Sequence, residues 1–143
     1  MKKRAFIVSA IASAALCSAG LAMAQDKFKI GLILPMTGPF ASTGKQIEAA
    51  ARLYIAQNGD TVGGKKVELI VKDDTSAPDV TKRIAQELVV NDKVNVLAGF
   101  GLTPLALATA PIATQSKTPL VVMAAATSSI TEASPFIIRT SFT

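Results

Sequence analysis

An α/β fold built on an open parallel sheet is what this sequence predicts, and three observations carry the prediction. Short β-branched, apolar runs alternate with longer stretches of helical periodicity, the pattern of strand–helix–strand units. The first run, Phe28 to Pro35 (FKIGLILP), is almost continuously apolar, as a strand covered on both faces must be. No linker, repeat or low-complexity tract breaks the alternation, so one domain accounts for everything after the leader.

The leader comes first in the chain. Lys2-Lys3-Arg4 precede an Ala- and Ser-rich apolar stretch from Phe6 to Leu21, and small residues at Ala22 and Ala24 flank Met23. This is the layout of a cleavable signal peptide spanning residues 1–24, cut after Ala24. A retained anchor fits less well, because Ser and Ala dilute the run and no cation cluster follows it. A lipoprotein site is disfavoured too, since Leu16 stands beside Cys17 where a small residue is wanted. Cleavage leaves 119 of the 143 residues, with twelve Lys and Arg against ten Asp and Glu. The pI of 9.6 for the whole sequence therefore gives no argument for nucleic-acid binding. Cys17 leaves with the leader, so no disulfide forms and a packed core must supply the stability.

The elements follow in order. The strand at Phe28 stops at Pro35, and Gly44 to Gln57 reads as a helix with Ile47, Ala51 and Tyr54 on one face, ended by Asn58-Gly59. Lys65 to Asp73 (KKVELIVKD) alternates, which suits a strand nearer the sheet edge. Ser76-Ala77-Pro78-Asp79 has capping-box spacing and opens a helix through Val80, Ile84 and Leu88 to Asn91. Val94 to Gly99 is the third strand. Thr103-Pro104 then opens a helix with a hydroxyl cap and a proline in the first turn, with a kink or early end expected at Pro111. Pro119 to Met123 makes the fourth strand, Ser129 to Glu132 a short capped turn, and Phe136 to Thr140 the fifth strand. The chain stops at Phe142-Thr143 with neither a polar tail nor a closing helix, the ending expected of an incomplete domain.

Catalysis lacks its parts. The sequence has no His, and Cys17 is confined to the leader, which removes Ser–His pairs, thiolate nucleophiles and zinc sites. No cofactor and no metal are expected, and Asp73-Asp74 with Asp79 read as turn and cap residues rather than a hard-cation site. Two glycine motifs are decoys. Gly38 to Lys45 resembles a phosphate loop but spaces its glycines one residue too far and puts Gln46 where Ser or Thr must hold magnesium. Gly99-Phe100-Gly101 begins a dinucleotide fingerprint, yet Pro104 takes the place of the third glycine.

Three loops at the carboxyl ends of the strands remain: Met36 to Thr43, Phe100 to Thr103, and Ala124 to Ser128. That edge of an open α/β sheet forms a ligand crevice where helix N-termini present unpaired N–H groups, so an anion fits there. Thr103 and Thr127 supply hydroxyls, whether as caps alone or as caps that also touch ligand. Ala124-Ala125-Ala126 and Gly99 with Gly101 are expected to let a ligand approach the backbone.

KIGLILPMTGPFASTG, GGKKVELIVKDDTSAP, VNVLAGFGLT and PLVVMAAAT together resemble the periplasmic leucine/isoleucine/valine-binding protein family, receptors of branched-chain amino-acid type ABC importers, over nearly all of the chain after its leader. The resemblance implies that residues 25–143 are most of the first lobe of a type I periplasmic binding protein, with strand order 2-1-3-4-5. It also implies a periplasmic, monomeric receptor rather than an enzyme. Its partners would be a small carboxylate ligand and an inner-membrane permease, with no nucleic acid. In that family the first lobe grips a carboxylate through a Ser or Thr at the helix after the third strand and an A-x-T loop after the fourth. Those positions match Thr103, and Ala125 to Thr127 with Ala126 between them. The first loop normally places a large aromatic over the ligand, and here Thr43 stands there, leaving room for a bulkier guest such as an aromatic acid. Closure needs a second lobe, with residues beyond Thr143. A sensory or regulatory ligand-binding domain on the same scaffold is the alternative reading, and downstream sequence separates the two.

Overall fold

A computed structural model describes residues 27–142. The expected signal peptide, its cleavage point and Cys17 lie outside the described residues. The elements are β1 (Phe28–Leu34), α1 (Ala41–Asn58), β2 (Thr61–Val62), β3 (Lys65–Asp73), α2 (Pro78–Val90), β4 (Val96–Gly99), α3 (Thr103–Ser116), β5 (Leu120–Val122), α4 (Ser129–Glu132) and β6 (Ile137–Arg139). They form one six-stranded sheet in the order β2-β3-β1-β4-β5-β6.

The five expected strands lie in the expected order, all parallel. The correction is at the edge. β2 pairs antiparallel with the start of β3, Thr61 opposite Lys66 and Val62 opposite Lys65, so the sheet is mixed and has a sixth strand. Two residues cannot show an alternation, and the sequence signal was the turn itself, Gly63-Gly64, with φ of 58° and 78°.

Period-two alternation along β1 divides the core. Ile33 joins Leu97, Leu120 and Val122 on the face packed by α2, α3 and α4, through Ile84, Leu88, Leu105, Ala110 and Ile130. Leu32 and Leu34 point the other way with Ala98, against Ile47 and Ala51 of α1. That second face is thinly covered: an apolar groove of about 370 Å³ stays open beside α1, lined by Ile30, Leu32, Tyr54, Val96, Val121 and Met123 among others. Tyr54, expected on the packed stripe of α1, is 65% exposed there.

Helix entries depart from the sequence reading in a consistent way. α1 begins at Ala41, before Gly44. Gly44 is buried in the first turn because a Cβ there would lie 2.1 Å from the carbonyl oxygen of Pro35. None of the three expected hydroxyl caps forms: the N-cap residues are Ala77, Leu102 and Ser128, without side-chain cap bonds. For α2 and α3 a proline in the first turn presets the entry, and an extended residue precedes it. Pro111 does not end α3, which runs on to Ser116. Pro111 lies on the exposed side of the helix, as does Leu107, whose carbonyl loses its helical partner, so water can replace that bond.

Candidate functional site

Parallel register sets a row of residues at one edge of the sheet. Leu34 pairs with Asp73, Ile33 with Gly99, Gly99 with Val122, and Val122 with Arg139. Every loop singled out from sequence leaves this row.

The tip of β4 is a strained turn. Gly99 has φ of 113°, and Phe100, fully buried, has φ of 63°. A non-glycine residue in the left-handed region costs free energy and persists only where its surroundings over-determine it. They do here: the Phe100 amide donates to the Ile33 carbonyl at 2.9 Å, and the Phe100 carbonyl accepts from the Ala125 amide at 3.0 Å. The glycines beside it are required by packing. A Cβ on Gly99 would meet the Ile33 oxygen at 2.1 Å, and one on Gly101 would meet Pro35 Cγ at 2.9 Å.

The turn delivers α3 so that Thr103, its first residue, faces the loop between β5 and α4. Thr103 Oγ1 and Thr127 Oγ1 are 2.7 Å apart. One hydroxyl proton occupies that bond, and the other can be donated elsewhere. Behind Thr127 the loop is tied down from three sides. The Ala125 amide binds Phe100, its carbonyl accepts from Ser141 Oγ at 2.6 Å, and the Ala126 carbonyl accepts from Arg139 Nη1. Ala125 is thus buried and spends both backbone groups on holding the loop. The amides of Thr103, Ala126 and Thr127 donate to no group among the described residues. Two aligned hydroxyls beside free N–H groups at a helix start can receive an anion.

The opposite rim is the segment from Met36 to Phe40, leading into α1, where Thr43 is an exposed third residue. Its anchor is Asp73. Oδ1 accepts from the amides of Met36 and Thr75, both at 2.9 Å, and Oδ2 accepts from Thr37 Oγ1 at 2.7 Å. Burial opposes the charge of Asp73, but the Thr37 hydroxyl and the amides of Thr75, Met36 and Thr37 prevail and hold its pKa below the ordinary value. Its neighbour is the reverse case. Asp74 is buried with Oδ2 unpartnered, and desolvation raises its pKa despite the bond from the Ser76 amide. Among the described residues no three His, Cys, Asp or Glu side chains gather as a metal would require, and no helix is long and apolar enough to cross a membrane.

A sequence model of periplasmic binding proteins matches residues 27–143. The chain belongs to that family. A curated relative, "Leu/Ile/Val-binding protein homolog 6" of Brucella abortus, is 47% identical over all of this chain and 36% of its own length. This periplasmic binding protein chain thus spans about a third of the curated relatives it matches. A solute-binding protein of an ABC transporter from Rhodopseudomonas palustris, solved with 3,4-dihydroxybenzoic acid, is 69% identical with a TM-score of 0.81, covering 82% of this chain and 32% of that one. A second from R. palustris, solved with 4-hydroxybenzoate, is 46% identical with a TM-score of 0.80 over the same shares. The relatives are solute-binding proteins of transporters rather than enzymes.

Sequence reasoning singled out Thr103, Thr127, Ala125, Ala126 and Thr43. The fold joins the first four into one cluster and puts Thr43 on the other rim. It missed the supports, namely Phe100, Ser141, Arg139 and the clamp role of Asp73. Only Asp73 left a signal, in the K-D-D run.

Proposed function

We propose that this chain supplies the capturing lobe of a periplasmic receptor that takes a small aromatic carboxylate into the crevice at the strand tips, for delivery to an ABC importer's permease. The observation that carries the reading is the Thr103–Thr127 hydroxyl pair at 2.7 Å beside unpaired amides. A carboxylate entering there accepts from the hydroxyl proton left free and from the N–H groups of Ala126 and Thr127, while the partial positive charge at the start of α3 favours the anion. Ala125 keeps the loop in place. Thr43 makes the facing wall small enough for a ring. A second lobe then closes over the guest, giving the permease a liganded shape to recognise. The leader predicted at residues 1–24 would deliver the receptor to the periplasm.

Two things support an aromatic acid over an aliphatic amino acid: Thr43 in place of a large side chain, and the higher identity to the protein solved with 3,4-dihydroxybenzoic acid, 69% against 47% for the Leu/Ile/Val-binding homologue. Calorimetry on the full-length receptor tests this. The expected result is binding of 3,4-dihydroxybenzoate at least roughly tenfold tighter than leucine, a gap of about 1.4 kcal/mol. Leucine binding with no response to benzoates would overturn it.

A further inference from the structure

The row of strand tips ends on Arg139, in register with Val122 of β5. Its side chain is half-buried, and Nη1 donates to the carbonyl of Ala126. Four cations of the described residues have carboxylate partners: Lys27 with Glu68, Arg52 with Glu48, Lys66 with Asp60, and Lys72 with Glu87. Arg139 has no Asp or Glu within ion-pair distance among the described residues. Of the adjacent acids at the same edge, Asp73 already spends both oxygens on Met36, Thr37 and Thr75, and Asp74 is buried against the Ser76 amide. A guanidinium offers five N–H donors on a delocalised positive charge. One neutral carbonyl does not offset the cost of drawing that charge partly out of water.

The carbonyl that Arg139 holds belongs to the same peptide group as the Thr127 amide. That group is planar and trans, so the Thr127 N–H points away from the guanidinium, on the side opposite the carbonyl. A cation on the oxygen polarises the peptide and makes its N–H a stronger donor. The Thr127 N–H has no acceptor among the described residues.

We propose that Arg139 is a positioning residue that determines charge specificity: through the Ala126–Thr127 peptide it makes the crevice prefer an anionic carboxylate over an isosteric neutral ligand. The inference rests on the carboxylate reading above. The test is calorimetry on the full-length receptor with 3,4-dihydroxybenzoate and its neutral amide, 3,4-dihydroxybenzamide, across a salt series. The unmutated receptor prefers the acid, and salt weakens the acid alone. Arg139→Gln lowers acid affinity roughly tenfold or more and amide affinity less than roughly threefold, as loss of a charge-assisted interaction should. Arg139→Lys, which keeps the charge, restores most of the preference, and it carries the test if the Gln variant does not fold. Equal weakening of acid and amide would show that Arg139 merely braces the loop, and an unchanged preference would overturn the inference as directly. A receptor that binds neither compound before mutation would instead remove the carboxylate reading, and this inference with it.

Discussion

The loop leaving β1 and the loop leaving β5 reach the same sheet edge, yet the first is gathered onto one carboxylate while the second is tied by Phe100, Ser141 and Arg139 together. A single ionised anchor makes a rim whose position depends on one side chain and on pH. Distributed anchors make a rim that does not hang on any single side-chain hydrogen bond. The threonines proposed to grip the carboxylate belong to the distributed rim, where geometry must hold to fractions of an ångström. Thr43, proposed only to leave space, stands on the other.

The comparison breaks most severely at its two glycines. Gly99→Ala puts a Cβ 2.1 Å from the Ile33 oxygen at a φ of 113°, so both the turn at Phe100 and the loop it holds must shift. We expect a loss of about 3 kcal/mol or more in urea unfolding, and loss of ligand binding. Gly44→Ala makes the same 2.1 Å approach to Pro35 within α1. It should cost a similar amount but displace the first rim alone, so any ligand binding that remains would keep its dependence on Thr127.

Thr127→Ala acts on the chemistry rather than the frame. It should weaken carboxylate binding by the full-length receptor by roughly 1 to 3 kcal/mol, the range for a hydrogen bond to a charged group. Thr127 is exposed, so thermal stability should change by less than about 0.5 kcal/mol. An unchanged dissociation constant would count against the assignment of this residue. Ser141→Ala sharpens the contrast between rims: with Phe100 and Arg139 still in place, the loop should hold and affinity fall by about 1 kcal/mol or less.

How far the sequence discloses this molecule follows from the range over which each signal acts. Strand existence was readable because apolar runs and their alternation with helices are repeated along the chain, and parallel pairing follows from the crossovers, whereas the order was implied by the family resemblance. The two-residue β2 carries no period and was missed. Thr103 and Thr127 were readable as hydroxyls on loops at strand ends. Their mutual bond was not, since it spans 24 residues and depends on a left-handed Phe100 that no local propensity favours. The capping boxes failed for the opposite reason. Their spacing was present, but Ser76 takes φ of 60° to follow the Asp73–Asp74 turn, and its hydroxyl is left unpartnered.

The smallest effects concern the adjacent carboxylates that begin that turn, and they separate by sign. Asp73 has a lowered pKa in the folded chain, so its contribution is complete above the ordinary value of 3.8 and is lost as pH falls through the folded value. Asp74 has a raised pKa, so the folded state favours its protonated form; that contribution is present below 3.8 and is lost as pH rises through the folded value. At neutral pH the first group stabilises and the second opposes folding. Asp74→Asn should therefore raise the thermal midpoint at pH 7, with the gain fading as the solution is acidified. Asp73→Asn should lower it at pH 7, with the loss fading in acid, and loosen the first rim while the Thr103–Thr127 pair stays intact. Parallel pH profiles for the two variants would mean that the first rim is not held by the charge of Asp73, and the contrast between the rims would reduce to a count of hydrogen bonds.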